Sequence, residues 1–69
     1  MPLQFPFDED TEENMLLLFS ELDEKSQRIY LAVEAKKLGH GGIKYLSELF
    51  KVSVKRINRG IEELEKKSS

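Results

Sequence analysis

Apolar residues recur along the chain at three- and four-residue steps, in four stretches separated by polar or glycine-rich breaks. This period places apolar side chains on one face of an α-helix. The sequence therefore predicts a small all-α, four-helix domain, with helices at about 11–20, 24–38, 43–50 and 54–67. Residues 1–10 are predicted to form an extended acidic arm, and residues 68–69 a frayed C-terminus.

The last two predicted helices are separated by only three residues, 51–53. Ser53 is a good N-cap for the fourth helix, because its hydroxyl can accept a hydrogen bond from an otherwise unpaired backbone N–H. Two helices joined by so short a turn predict a helix-turn-helix within residues 11–67. Gly60 lies inside the fourth helix, where glycine is unfavourable. We expect it to permit a close approach, either to another helix or to a DNA backbone.

Cations and an amide occupy the fourth helix between its apolar positions. In the major groove of DNA, arginine can pair with guanine and asparagine with adenine. The residues predicted to contact bases are Val54, Lys55, Arg56, Asn58 and Arg59. Phosphate contacts fix the register of a protein on DNA without recognising sequence. They are predicted for Gly42, Lys44, Lys51 and Ser53.

The charge of the chain is unevenly distributed. Residues 1–35 carry nine acids and two bases, a balance of −7, whereas residues 36–69 carry nine bases and four acids, a balance of +5. DNA responds to the local field of the surface it meets, which ordinary salt screens within about 8–10 Å. The formal net charge of −2 therefore does not exclude nucleic-acid binding.

The first two predicted helices have more apolar residues than one stripe can hold. Leu17 and Leu18 cannot share a narrow stripe with their neighbours, and we expect wide core burial, with a dimer interface as the alternative. The second helix is apolar on two sides and is expected to be sandwiched between neighbours. Asp10 with Glu13 suggests a capping box at the first helix, and Phe5 or Phe7 is expected to pack back onto the body.

Several classes of protein are disfavoured by the composition. The chain has no cysteine, and its single histidine, His40, has no obvious partner ligands, so we predict neither a metal nor a cofactor. Glycines 39, 41 and 42 do not match the spacing of a nucleotide-binding loop. The longest apolar run, 15–19, is too short to cross a membrane, and no secretory signal is evident, so a cytoplasmic, nucleoid-associated protein is expected.

From residue 22 onward the chain resembles the N-terminal region of a family of bacterial insertion-sequence transposases, often labelled Rhodopirellula-type. The segments that carry the likeness are spread over a stretch that spans about two thirds of the chain. They are Leu22-Asp23-Glu24-Lys25, Glu34-Ala35 with Leu38-Gly39, Gly41-Gly42-Ile43, Val52-Ser53, Arg56-Ile57, Arg59-Gly60-Ile61 and Glu63-Leu64.

The resemblance implies sequence-specific binding of double-stranded DNA at the terminal repeats of a mobile element. Two positions depart from the family pattern, since Asn58 stands where arginine is common and Lys51 where glycine is frequent. The family's catalytic domain, with its acidic metal-binding triad, has no counterpart in this sequence, so we do not expect an enzyme or a small-molecule substrate. The partners implied are duplex DNA and either a second copy or the remainder of a transposase. The alternative is a protein-interaction or dimerisation module that uses the acidic arm and first helix.

Overall fold

The computed structural model describes residues 5–68, with side chains through Lys66. Over this range the chain is all-α, as predicted, and no helix is long and apolar enough to cross a membrane. The four helices are α1 (Glu9–Glu21), α2 (Glu24–Leu38), α3 (Gly42–Phe50) and α4 (Val54–Ser68). Their bounds differ from the predicted ones by at most two residues. Residues 1–4 of the predicted arm and Ser69 lie outside the described residues.

Aspartates cap the first two helices. The Oδ1 atom of Asp8 accepts a hydrogen bond from Thr11 N at 3.0 Å, and that of Asp23 accepts one from Ser26 N at 2.8 Å. These bonds lower the pKa of both carboxyl groups. The predicted cap at Asp10 is therefore wrong. Because the helix begins earlier, Asp10 lies in its first turn, where a negative charge favours the helix dipole.

The core forms where α2 packs against α3 and α4. Leu31, Leu46 and Ile57, one from each of these helices, are almost completely buried. The ring of Phe50 extends this core towards α1, since its centroid lies 4.7 Å from that of Phe19. A bond of 2.9 Å from Gln27 Nε2 to the carbonyl of Phe19 also joins α1 to α2. α2 is therefore the central element of the fold.

α2 lies between its neighbours, as expected, since it contacts α3 and α4 and is bonded to α1. Leu31 and Ala32, one from each of its apolar sides, are both buried. One strip of α2 is nevertheless uncovered, because Ile29 is half-buried and Val33 remains 38% exposed. The wide burial expected for α1 is wrong, because Leu17 and Leu18 are 63% and 48% exposed. A chain of this length has too little material for another layer over these side chains. The described part of the chain thus leaves an apolar surface along α1 and α2.

The segment before α1 packs onto α3, as predicted for its phenylalanines. The ring of Phe5 stacks on Tyr45 with centroids 5.2 Å apart, and Phe7 meets the same ring edge-on at 6.0 Å. Phe7 N donates to the Tyr45 hydroxyl at 3.1 Å, and this hydroxyl donates to the carboxylate of Glu12. Burial and the bond to Glu12 raise the pKa of Tyr45. Tyr45 therefore holds the arm and α1 together.

The turn between α3 and α4 is closed by hydrogen bonds at both ends. Lys51 adopts a left-handed conformation with φ 56°, a region that favours glycine. The hydroxyl of Ser47 donates to the carbonyl of Val52 at 2.6 Å, while Val52 N donates to the carbonyl of Ser47 at 3.1 Å. Ser53 then caps α4, since its Oγ accepts from Arg56 N at 3.1 Å. The direction of α4 is therefore set within three residues.

Gly60 is where α4 makes its closest approach to α2. A Cβ atom at this position would lie 2.3 Å from the carbonyl oxygen of Arg28 and 2.9 Å from its carbonyl carbon. Both atoms belong to the backbone of α2 and cannot rotate away. Of the two uses predicted for Gly60, the approach to another helix is therefore the one observed.

We expect Gly60→Ala to lower the free energy of unfolding by about 1–3 kcal/mol, the usual cost of overpacking. Alanine is the better helix former by about 1 kcal/mol, so a loss must come from the clash with α2. Urea denaturation followed by circular dichroism measures the change. Asn58→Ala, on the exposed side of the same helix, is the matched control and should be nearly neutral. A stabilised Gly60→Ala variant would show that the two backbones do not touch.

Candidate nucleic-acid interface

The buried side of α4 fixes which side chains face outward. Ile57 is completely buried and Gly60 lies against α2, so the opposite face of the helix is turned to solvent. Lys55, Asn58 and Arg59 lie on this outward face and are all exposed. They line a shallow surface depression together with Val54, Glu62, Glu63 and Lys66. The structure thus brings four of the five residues predicted to contact bases onto one surface.

Glu62 lies on the same outward face. Residues 55, 59, 62 and 66 follow one another at three- and four-residue steps, which place them on one side of a helix. The carboxylate of Glu62 therefore borders the cations at the start of the helix. A negative charge here repels phosphate and limits the basic surface to the first two turns of α4.

The fifth predicted residue, Arg56, points to a different side. Its Nη2 lies 3.5 Å from Oε1 of Glu24, at the start of α2. The two side chains are 36% and 76% exposed, and exposed ion pairs contribute only about 0–1 kcal/mol. Arg56 and Glu24 line a second shallow depression. Lys55 and Arg59 line both depressions. Arg56 is therefore at the edge of the outward face, held by a weak internal partner.

A bidentate ion pair fixes the same edge of α4 to α2. Nε of Arg28 donates to Oε1 of Glu63 at 2.7 Å, and its Nη2 donates to Oε2 at 3.3 Å. These bonds lower the pKa of Glu63 and raise that of Arg28. Glu63 is therefore held against α2. No sequence signal identifies the pair, because it depends on how α2 and α4 cross.

The residues predicted to contact phosphate divide into two groups. Lys44 and Lys51 are exposed, and Ser53 is exposed at the start of α4. The Ser53 oxygen accepts a bond from the helix, and its O–H can still donate to a phosphate. Gly42 does not fit the prediction, because it is buried and its N–H donates to the carbonyl of Gly39 at 3.0 Å. Its amide is already used inside the chain.

The first turn of α4 has an unfavourable charge for a helix start. The N-terminus of a helix carries a partial positive charge, so acids there are stabilising and cations are not. α1 and α2 follow this rule, with acids in their first turns. α4 has no acid in its first turn and instead has Lys55 and Arg56. Local departures of this kind are expected where a surface has been shaped for function.

No family model matches the chain, and no curated protein or solved structure is significantly similar to it. The likeness to the transposase family accordingly stays a prediction. What the chain binds must follow from the chemistry of its own surface.

The pairing of Glu63 with Arg28 predicts a specific loss of stability in acid. Because folding lowers the pKa of Glu63 from its ordinary value of 4.5, its carboxylate stabilises the fold fully above that pH. This contribution is lost as the pH falls through the lower folded-state pKa. Glu63→Gln should be less stable than the wild type near neutral pH and should lose less stability on acidification.

The measurement is urea denaturation at several values between about pH 7 and about pH 3. Asp8 and Asp23 also have lowered pKa values, so some acid sensitivity remains in the variant. Glu62→Gln, one residue earlier and exposed, should keep the wild-type profile. If Glu63→Gln also shows the wild-type dependence of the free energy of unfolding on pH, Arg28 does not favour the charged form of the Glu63 carboxylate.

Proposed function

We propose that this chain binds duplex DNA with α3 and α4 as a helix-turn-helix, and that α4 enters the major groove. Lys55, Asn58 and Arg59 contact base edges, and Arg56 joins them when it leaves Glu24. Lys44, Lys51 and Ser53 contact phosphates on either side. In the transposase family that the sequence resembles, such a module recognises the ends of the element.

The observation that carries the proposal is the outward row of Lys55, Asn58 and Arg59. It combines two cations with an amide, which are the groups that recognise guanine and adenine in the major groove. The row lies at the N-terminal end of a helix whose other side is fixed by packing. Rigid placement of the helix matters, because a side chain can make a bidentate contact with a base only if its backbone position is fixed.

The charge pattern of α4 supports the same proposal. The cations in its first turn do not favour the helix dipole, whereas they do favour contact with a polyanion. Lys51 precedes this turn and Lys44 lies one helix earlier, so four exposed cations, Lys44, Lys51, Lys55 and Arg59, occupy consecutive elements. Low salt should strengthen the contact, because binding releases counterions from DNA.

An amide-shift titration with a short duplex of random sequence tests the proposal directly. We expect shifts concentrated in residues 53–60 and 41–44, and weaker shifts as salt rises. Once a preferred duplex has been selected, Arg59→Ala should cost about 1–3 kcal/mol on it and less on random DNA. Glu62→Gln serves as a control for which the expected change in affinity is opposite. It should tighten binding, because it removes a negative charge beside the cations. The absence of shifts at low salt would exclude the proposal.

Glu24 is expected to weaken DNA binding by holding Arg56. Glu24→Gln removes an exposed ion pair worth up to about 1 kcal/mol, so affinity for duplex DNA should rise by roughly two- to fivefold. Fluorescence anisotropy with a labelled duplex measures the change. Glu9→Gln removes an exposed carboxylate from α1 and serves as the matched control. An equal gain in both variants would indicate a general charge effect rather than release of Arg56.

A protein-interaction module is the second candidate function. One observation favours it, namely the exposure of Leu17 and Leu18 on α1. This surface is separate from α4, so the two functions can coexist. The titration tests only DNA binding, because a protein partner would act on α1 whether or not DNA shifts α4.

A further inference from the structure

The uncovered sides of α1 and α2 carry several exposed apolar side chains, and this surface is called here the α1–α2 face. Leu18 and Leu22 line a shallow depression together with Lys25, Ser26, Ile29 and Tyr30 of α2. Leu17 is exposed on α1, and Val33, four residues after Ile29, is exposed on α2. A group of exposed apolar residues beside one depression is typical of an interaction site.

The charges around this face are segregated by helix. On α1, Glu13 and Glu21 stand four residues before and after Leu17, and both are exposed. On α2, Lys25 stands four residues before Ile29, and Lys36 three residues after Val33, and both are exposed as well. Residues three or four apart share a helix face. One half of the α1–α2 face is therefore acidic at its rim, and the other half is basic.

We propose that the occupant of this face is a second copy of the chain, related by a twofold axis. In such a dimer α1 of each copy lies on α2 of the other, because a twofold interface repeats every contact in both directions. The acids flanking Leu17 then meet the lysines flanking Ile29 and Val33 on both sides. Pairing α1 with α1 instead would bring acids together and oppose association.

The dimer leaves the proposed DNA-binding surface open. Of the residues that define the α1–α2 face and its charged rim, none lines either depression on α4. Self-association can therefore be measured without DNA, and its failure does not bear on the titration of α4. Helix-turn-helix proteins commonly bind paired half-sites as dimers, which gives such an assembly a use.

Sedimentation equilibrium of the full chain, over a range of concentrations, tests the proposal. We expect reversible dimerisation of the wild type, and a dissociation constant at least roughly tenfold weaker for Leu18→Lys, since a buried leucine is replaced by a charge. Leu16→Lys is the matched control, because Leu16 is similarly exposed on α1 but does not line the depression. Circular dichroism verifies that both variants remain helical.

A charge-reversal pair tests the arrangement itself. The first variant combines Glu13→Lys with Glu21→Lys, and the second combines Lys25→Glu with Lys36→Glu. Each variant alone should stay monomeric, because the rims on its α1 and its α2 then carry charges of the same sign. An equimolar mixture of the two variants should form a heterodimer, because the two signs are then opposite. A wild-type chain that stays monomeric would overturn the proposal, as would a dimer unaffected by Leu18→Lys or by both reversals.

Discussion

The close contact between α4 and the backbone of α2 is the constraint on which the rest of the structure depends. Only a residue without a Cβ atom fits at position 60, so the rotation of α4 about its axis is fixed there. Ile57 fills the core on one side of this contact, and the Arg28–Glu63 pair closes the other. With these three anchors in place, the first turns of α4 have one face left for solvent. That face holds the cations and the amide.

The small size of the core also explains why so much of α1 and α2 stays uncovered. The 69 residues build one small core, and the two largest helix contacts in it are those of α2 with α4 and of α2 with α3. α1 is attached mainly through Met15, Phe19 and the hydrogen bond from Tyr45 to Glu12. In the described part of the chain, no further layer covers the leucines outside that stripe. Their apolar surface is therefore available for association.

Helix periodicity was sufficient to predict the four helices, the cap at Ser53 and the outward position of Lys55, Asn58 and Arg59. All of these depend on interactions within a few residues. The ion pairs of Arg56 with Glu24 and of Arg28 with Glu63 could not be predicted. The paired residues lie on different helices and are 32 and 35 positions apart in sequence. The exposure of Leu17 and Val33 was missed for a related reason, since periodicity identifies apolar faces but not how many of them the chain can cover.

The distribution of charge connects the two proposed surfaces. An acidic α1 would be repelled by a DNA duplex, and the distance over which this matters at ordinary salt is about 8–10 Å. In the proposed dimer, lysines of one copy cover the acids of α1 in the other, so both carboxylates beside Leu17 are neutralised at close range. The basic surfaces on the two α4 helices would then dominate the field that DNA meets. An acidic chain can bind a polyanion when its negative charge is used to hold two copies together.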